Sequence, residues 1–108
     1  MSNQIIGKYP IDLNLLLDDD SIQILLPQES KVLSAGFSPV CNGDSTSEML
    51  CIWAISETLS SPRELHHLVI ALTGRTLANS CGRLNFIGTA VSSGSFVVHV
   101  FERVDANY

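Results

Sequence analysis

The last quarter of the chain is the segment that most restricts its fold. Residues 84–102 read LNFIGTAVSSGSFVVHVFE, two apolar runs rich in β-branched and aromatic residues that a small, polar segment joins. Runs of this kind on either side of a flexible turn predict a β-hairpin. In the second run, FVVHVF, both alternating sets of positions are mainly apolar, so we expect that strand to be covered on both faces.

Turn residues recur along the rest of the chain at the spacing of short strands. The apolar runs between them predict strands at residues 5–10, 22–26, 31–37, 49–56 and 65–72. We interpret residues 38–48 as a long loop and residues 76–83 as a loop with short helical character, whereas residues 11–17 fit neither the strand nor the helix period. The predicted fold class is all-β: a small antiparallel sandwich or partly open barrel of six to seven strands, with at most one or two short helices.

Two strands have predicted places in this fold. Residues 49–56, MLCIWAIS, are almost continuously apolar, which predicts the central strand with Cys51 and Trp53 on one face and Leu50 and Ile52 on the other. Pro10 restricts the first strand to an edge or an end of a sheet. At 108 residues we expect one β-rich domain over residues 1–108, with a core at about 5–103 and a frayed tail at 104–108.

Charge and composition exclude some classes of partner. The net charge of −5 opposes the wrapping of duplex nucleic acid, which needs clustered cations, but a few arginines in one pocket can still hold a small phosphate ligand. No stretch has the length of a membrane span or the apolar core of a secretory signal, so we expect a cytosolic protein. Cys41, Cys51 and Cys81 are an odd number without a CxxC spacing, which favours reduced thiols over disulfides or a structural zinc site.

The most suggestive polar cluster is Thr73-Gly74-Arg75-Thr76, which directly follows a predicted strand. Gly74 lets the backbone approach a ligand, and Arg75 offers a planar fork for phosphate beside two hydroxyls. Arg83, eight residues on, is expected to reach the same end of the sheet. These five residues are our phosphate-binding candidates; the alternative is an ordinary turn with an exposed arginine.

Signals for catalysis are weak. His66, His67 and His99 are candidate bases, but no motif such as GxSxG or HExxH accompanies them, and we assign no catalytic residue and no metal ligand. His66 and His67 are adjacent in a strand, so their side chains are expected to point to opposite faces. His99 and Phe37 are candidates for hydrogen bonding to a ligand or stacking on a base, with a place in the core as the alternative for each.

Short motifs in a fixed order relate the chain to a known group. Lys8-Tyr9-Pro10, the strand MLCIWA, Thr73-Gly74, Ile87-Gly88-Thr89 and the closing HVFE of residues 99–102 resemble a family of small, uncharacterised proteins of tailed bacteriophages over about residues 8–102. Here the chain differs in its 38–48 segment, in Phe86 where that family has tyrosine, and in Arg75.

A phage origin implies an accessory or counter-defence role. We therefore expect a non-enzymatic, homo-oligomeric protein of the host cytoplasm that sequesters a small, cyclic nucleotide immune signal and needs no cofactor. Two alternatives stay open: an inhibitor that binds a host protein through an edge strand or the 38–48 segment, and a small virion or assembly protein.

Overall fold

Seven β-strands form nearly all of the regular structure of the protein. The structure, a computed structural model, describes residues 4–17, 20–57, 62–74 and 83–104. Its strands are β1 (Ile5–Pro10), β2 (Ser21–Pro27), β3 (Lys31–Asn42), β4 (Ser45–Ser56), β5 (Arg63–Leu72), β6 (Arg83–Val91) and β7 (Val97–Val104). One 3-10 turn, Leu13–Leu15, is the sole helical element in these residues. The predicted all-β class is confirmed.

The strands form two antiparallel sheets that face each other and do not close into a barrel. One sheet has the order β1-β4-β3 and the other β2-β5-β7-β6. As predicted, β4 is a central strand, and β1, which ends at Pro10, is an edge strand. The two sheets approach each other most closely along β3 and β6, where a side-chain carbon at Gly88 would lie 3.6 Å from the backbone nitrogen of Ala35.

The core between the sheets is built from alternate residues of the strands, and the central strands β4 and β5 are also buried on their other side at Cys51, Val69 and Ala71. This alternation follows from the period of two in a β-strand, which sends neighbouring side chains to opposite faces. The most deeply buried members are Leu26, Leu50, Ile52, Leu68, Val98 and Val100. Phe37 also points into this layer, and its ring centroid lies 6.2 Å from that of Phe96 in an edge-to-face contact.

Cys51 lies on the face of β4 opposite Leu50 and Ile52, as predicted, and this face is turned away from the other sheet, yet Cys51 is fully buried. It pairs with Pro10 and Gly36 on the neighbouring strands. The amino group of Lys8, on β1, donates hydrogen bonds to Ser38 at 3.1 Å and to the carbonyl of residue 39 at 3.0 Å on β3. The lysine therefore reaches across β4, and its aliphatic stem covers apolar surface.

The prediction of a long loop at residues 38–48 is wrong. Strands β3 and β4 stay paired as far as Asn42 and Ser45, and a two-residue turn joins them. Gly43 has φ of +69° at the first central position of that turn, which is typical of a tight hairpin. The polar side chains of this ribbon suggested a loop, but ladder hydrogen bonds satisfy a strand backbone whether or not its side chains are buried.

Residues 11–17 contain the short 3-10 turn, which explains why they fit neither the strand period nor the α-helix period. The carboxylate of Asp12 accepts a hydrogen bond from the backbone N–H of Asn14 at 3.0 Å and so caps the 3-10 turn. The predicted loop at residues 76–83 lies outside the described residues except for Arg83, which begins β6. The predicted tail also lies outside them from residue 105 onward.

Candidate functional site

The candidate site lies on the side of the four-stranded sheet that points away from the core, which we call the outer face. Strand register identifies its members, because they alternate with the buried core residues. Its members on β5, β7 and β6, with Thr73 directly after β5, are Arg63, Leu65, His67, Val69, Ala71, Thr73, Val97, His99, Phe101, Arg103, Leu84, Phe86, Thr89 and Val91.

His99 is the centre of a polar cluster on this face. Its Nε2 atom lies 2.8 Å from the hydroxyl of Thr73, and its Nδ1 atom lies 2.9 Å from the hydroxyl of Thr89. A neutral imidazole has one donor and one acceptor, and a threonine hydroxyl can serve either role, so both contacts are satisfied in either tautomer. Both threonines are exposed, and the cluster is accessible from the solvent. We call these three residues the His99 cluster.

The sequence predicted two members of this cluster and missed the third. Thr73 and His99 were both candidates, and the structure brings their side chains into contact. Thr89 pairs directly with His99 through the β6–β7 register. That register includes a bulge between Phe86 and Gly88, and a bulge cannot be located from residue types alone.

Two aromatic rings lie beside the His99 cluster. Phe86 and Phe101 pair across β6 and β7, and their ring centroids are 5.5 Å apart in an edge-to-face arrangement. Phe86 is 61 % exposed, which is unusual for a large apolar side chain in a β-strand. Phe101 follows His99 by two residues on the same face, a separation of about 7 Å along the strand.

The outer face carries arginines and no carboxylates in an otherwise acidic protein. Arg63 and Arg103 belong to it, whereas none of its described members is Asp or Glu. Glu102 alternates with the outer-face residues and points toward the core side. An anionic ligand therefore meets no carboxylate among the described members of this face, even though the net charge of the protein is −5.

The remaining candidates are distributed differently from what the sequence suggested. Gly74 directly follows Thr73, is exposed and has φ of +88°, whereas Arg75 and Thr76 lie outside the described residues. Arg83 does not reach the same end of the sheet: it pairs with Val104 at the far end of β7, roughly 20 Å along the strand. The physical reason is that β6 runs parallel to β5, with β7 between them.

Phe37 is not positioned to stack on a ligand at the outer face. It lies on β3, in the other sheet, and packs against the core and Phe96. Phe37 therefore packs in the core, which was the alternative to ligand binding for this residue.

A second titratable cluster lies on the core side of the same sheet. His66 Nδ1 lies 2.6 Å from a carboxylate oxygen of Glu102, and Nε2 lies 3.3 Å from Glu64. The hydrogen bond to Glu102 raises the pKa of His66, with the charges of both carboxylates adding to it and burial opposing it. Nδ1 is engaged by Glu102, Nε2 has an ion-pair contact with Glu64 but no hydrogen bond, and the side chain is 10 % exposed, so a substrate has little access to either nitrogen. Its neighbour His67 points to the opposite face, as predicted.

The cavities of the described residues are small and open. An apolar groove of about 290 Å³ lies between the end of β1 and strand β2, lined by Ile11, Leu15 and Ile24 among others. A neighbouring cavity of about 200 Å³ continues it along Leu17 and Gln23. The described ranges contain no group of three metal-ligating side chains. No helix in them is long and apolar enough to cross a membrane.

Comparisons with known proteins place the chain in one family. No curated protein and no solved structure matches it. A family model matches residues 2–108, which is almost the whole sequence. The chain therefore belongs to the family described as domain of unknown function DUF7352.

Proposed function

We propose that the protein binds a small nucleotide on the outer face of its four-stranded sheet and catalyses no reaction on it. The observation that carries the proposal is the His99 cluster, in which a half-buried imidazole positions two exposed hydroxyls on a face without carboxylates. The two hydroxyls can hydrogen-bond to phosphate and ribose oxygens, while the imidazole, whose two nitrogens are both engaged by the threonines, holds these hydroxyls in place.

The aromatic pair provides the second half of the proposed site. The exposed ring of Phe86, supported edge-on by Phe101, offers a surface on which a nucleobase can stack. Stacking of this kind contributes about 1–3 kcal/mol per base. Because Phe101 lies about 7 Å from His99 along β7, one nucleotide can place its base on Phe86 and its phosphate at the His99 cluster.

Backbone and cationic groups beyond Thr73 complete the proposal. Gly74 has no side chain to obstruct a ligand that lies against Thr73. In the proposal Arg75 and Thr76, the next residues along the chain, contact the phosphate. Arg83 has no part in it, because it lies at the opposite end of the sheet.

The resemblance to tailed-bacteriophage proteins extends the proposal to a biological role. A phage protein that binds a nucleotide stoichiometrically removes an immune signal from the host cytoplasm without needing a catalytic group. Cyclic dinucleotides, cyclic trinucleotides and cyclic ADP-ribose analogues are therefore the ligands to examine first.

A thermal-shift screen with these nucleotides tests the proposal. A ligand at 100 times its Kd stabilises the native state by about 2.7 kcal/mol, which corresponds to a rise in melting temperature of roughly 10 °C for a domain of this size. Absence of a shift with every nucleotide at high micromolar concentration refutes nucleotide sequestration.

Matched variants locate the site once a nucleotide is found. Thr89→Val removes one hydroxyl of the His99 cluster at nearly constant volume and should abolish most of the shift. Thr46→Val is the control, because Thr46 is an exposed strand threonine of the other sheet whose hydroxyl has only a weak 3.7 Å contact with Cys41. Arg75→Glu should abolish binding without lowering the melting temperature of the free protein. Equal affinity in Thr89→Val and the wild type would exclude the His99 cluster.

The alternative function is inhibition of a host protein, and a different observation favours it. Strand β2 is an exposed sheet edge beside the apolar groove, so it can accept a strand from another chain. This function predicts no response to nucleotides and a loss of binding on substitution at β2, so the same screen separates the two.

A further inference from the structure

Three of the four sheet edges carry features that block pairing with another strand. Edge strand β1 contains Lys8 and Pro10, and β3 contains a bulge after Val32 and a proline at position 39. Edge strand β6 has a bulge before Gly88 and lies close to the backbone of β3. Charges, prolines, bulges and coverage are the usual means by which proteins protect an edge.

Strand β2 is the exception. Its seven residues, SIQILLP, include no charged side chain and no bulge, and its proline is at the very end. Leu25 is 56 % exposed on it, and the groove beside it adds the exposed Leu15 and Leu17. An apolar edge strand of this length without protection is a site for strand addition.

The hydrogen-bond pattern shows which backbone groups of β2 are available. Ile70 N–H donates to the carbonyl of Asp20, so the even-numbered residues of β2 direct their backbone groups toward β5. The odd-numbered residues therefore face outward, and Ser21 agrees, since its carbonyl accepts from Leu17 N–H. Gln23 and Leu25 each present an N–H and a carbonyl at this edge, for which the described part of the chain supplies no backbone partner.

We propose that β2 pairs with β2 of a second copy of this chain, in antiparallel orientation about a two-fold axis at Ile24. In this register Gln23 lies opposite Leu25 of the second copy, and the outward N–H and carbonyl groups of both residues form four backbone hydrogen bonds. The two four-stranded sheets become one continuous eight-stranded sheet. This dimer does not depend on the proposed nucleotide site, which lies on other strands.

We choose a second copy of this chain as the partner because the sequence of β2 is complementary to itself in antiparallel pairing. The register places Ile22 opposite Leu26 and Ile24 opposite itself, all on the core side, so the apolar layer continues across the axis. No charged side chain of β2 meets its own copy, which removes the usual like-charge penalty of an isologous strand pair. A register centred on Leu25 would place Gln23 opposite Pro27, which has no N–H, and one centred on Gln23 would place Leu25 opposite Ser21, whose carbonyl already accepts from Leu17.

Oligomeric state and edge variants test the proposal. Light scattering after size exclusion should give twice the chain mass of 11.7 kDa for the wild-type protein, with dissociation on dilution. Leu25→Lys places a charge on the edge and should give the monomer mass with unchanged circular dichroism. Ile6→Lys, at an equally exposed position of edge strand β1, is the matched control and should remain dimeric.

Cysteine crosslinking tests the register without depending on the lysine variant. In a Cys41→Ser, Cys81→Ser background, Ile24→Cys should form a disulfide-linked dimer, since non-hydrogen-bonded pairs have Cα atoms about 4.5 Å apart. Gln23→Cys should not, because its copies are diagonal neighbours at about 7–8 Å. A wild-type protein that stays monomeric across the concentration series overturns the proposal, as does a dimer that survives Leu25→Lys or that crosslinks equally through position 23. A monomer that binds an extended foreign peptide at β2 also overturns it and assigns the edge to another protein.

Discussion

The contacts of His66 with Glu64 and Glu102 predict a specific dependence of stability on pH. Because the pKa of His66 is raised in the folded protein, chiefly by its 2.6 Å hydrogen bond with Glu102, folding favours the imidazolium form. The stabilisation is therefore fully present below the ordinary histidine pKa of about 6.5 and is lost as the pH rises through the raised value. The free energy of unfolding should fall on the alkaline side of pH 6.5.

The structure sets the size of this effect. A hydrogen bond to a charged partner contributes about 1.5–3 kcal/mol, and His66 is well buried, so we expect Glu102→Gln to cost about 2 kcal/mol near pH 6. Near pH 9 the neutral imidazole can still donate to the carboxylate, and the cost should fall to about 1 kcal/mol. Glu64→Gln is the control: its carboxylate is half exposed and 3.3 Å away, so its loss should cost no more than about 0.5 kcal/mol.

Urea unfolding of the wild type and both variants between about pH 6 and pH 9 measures these differences. Subtracting each variant from the wild type at the same pH removes the contribution of other titrating groups. A cost of Glu102→Gln that is the same at both ends of the range would refute the assignment of a charged His66–Glu102 pair. A Glu64→Gln cost as large as that of Glu102→Gln would refute the ranking of the two carboxylates.

Three further predictions concern packing, the hairpin turn and the thiols. Leu68→Ala should lower the free energy of unfolding by about 2–5 kcal/mol in urea unfolding, because Leu68 is fully buried, and a loss under 1 kcal/mol would contradict its core position. Gly43→Ala should cost about 1–2 kcal/mol, since the turn requires positive φ while no atom crowds the site; Gly43→Asn should cost less, and the reverse order would contradict the turn. Thiol labelling read by peptide mass spectrometry should modify the exposed Cys41 in the native protein and Cys51 only on unfolding, because burial blocks access and raises the pKa of the Cys51 thiol.

The elements of the fold were predictable where local chemistry determines them. Alternation and turn residues located most of the strand residues, and the faces of β4 followed from its period of two. The failure at residues 38–48 has a physical cause. Exposed hairpins can be built from polar side chains, so hydrophobicity there carries no information about pairing.

The candidate site depended on topology that residue types do not encode. Thr73 and His99 meet because β5 pairs with β7, and Thr89 joins them through a register that includes a bulge. Arg83 was expected near Thr73 because it follows closely in sequence. Insertion of β7 between β5 and β6 instead sends it to the other end of the sheet. Long-range strand order decides each of these placements.

The close approach of β3 and β6 makes the two sides of the sandwich mechanically unequal. On that side the backbones meet near Ala35 and Gly88, whereas on the side of β1 and β2 a groove separates the sheets. Opening fluctuations should therefore separate the sheets first at β1 and β2, while the β3–β6 side stays packed and acts as the hinge. Amide hydrogens of β1 should exchange with solvent well before those of β7 and β4. In a dimer joined at β2, the most easily opened margin of each subunit would be held by the other.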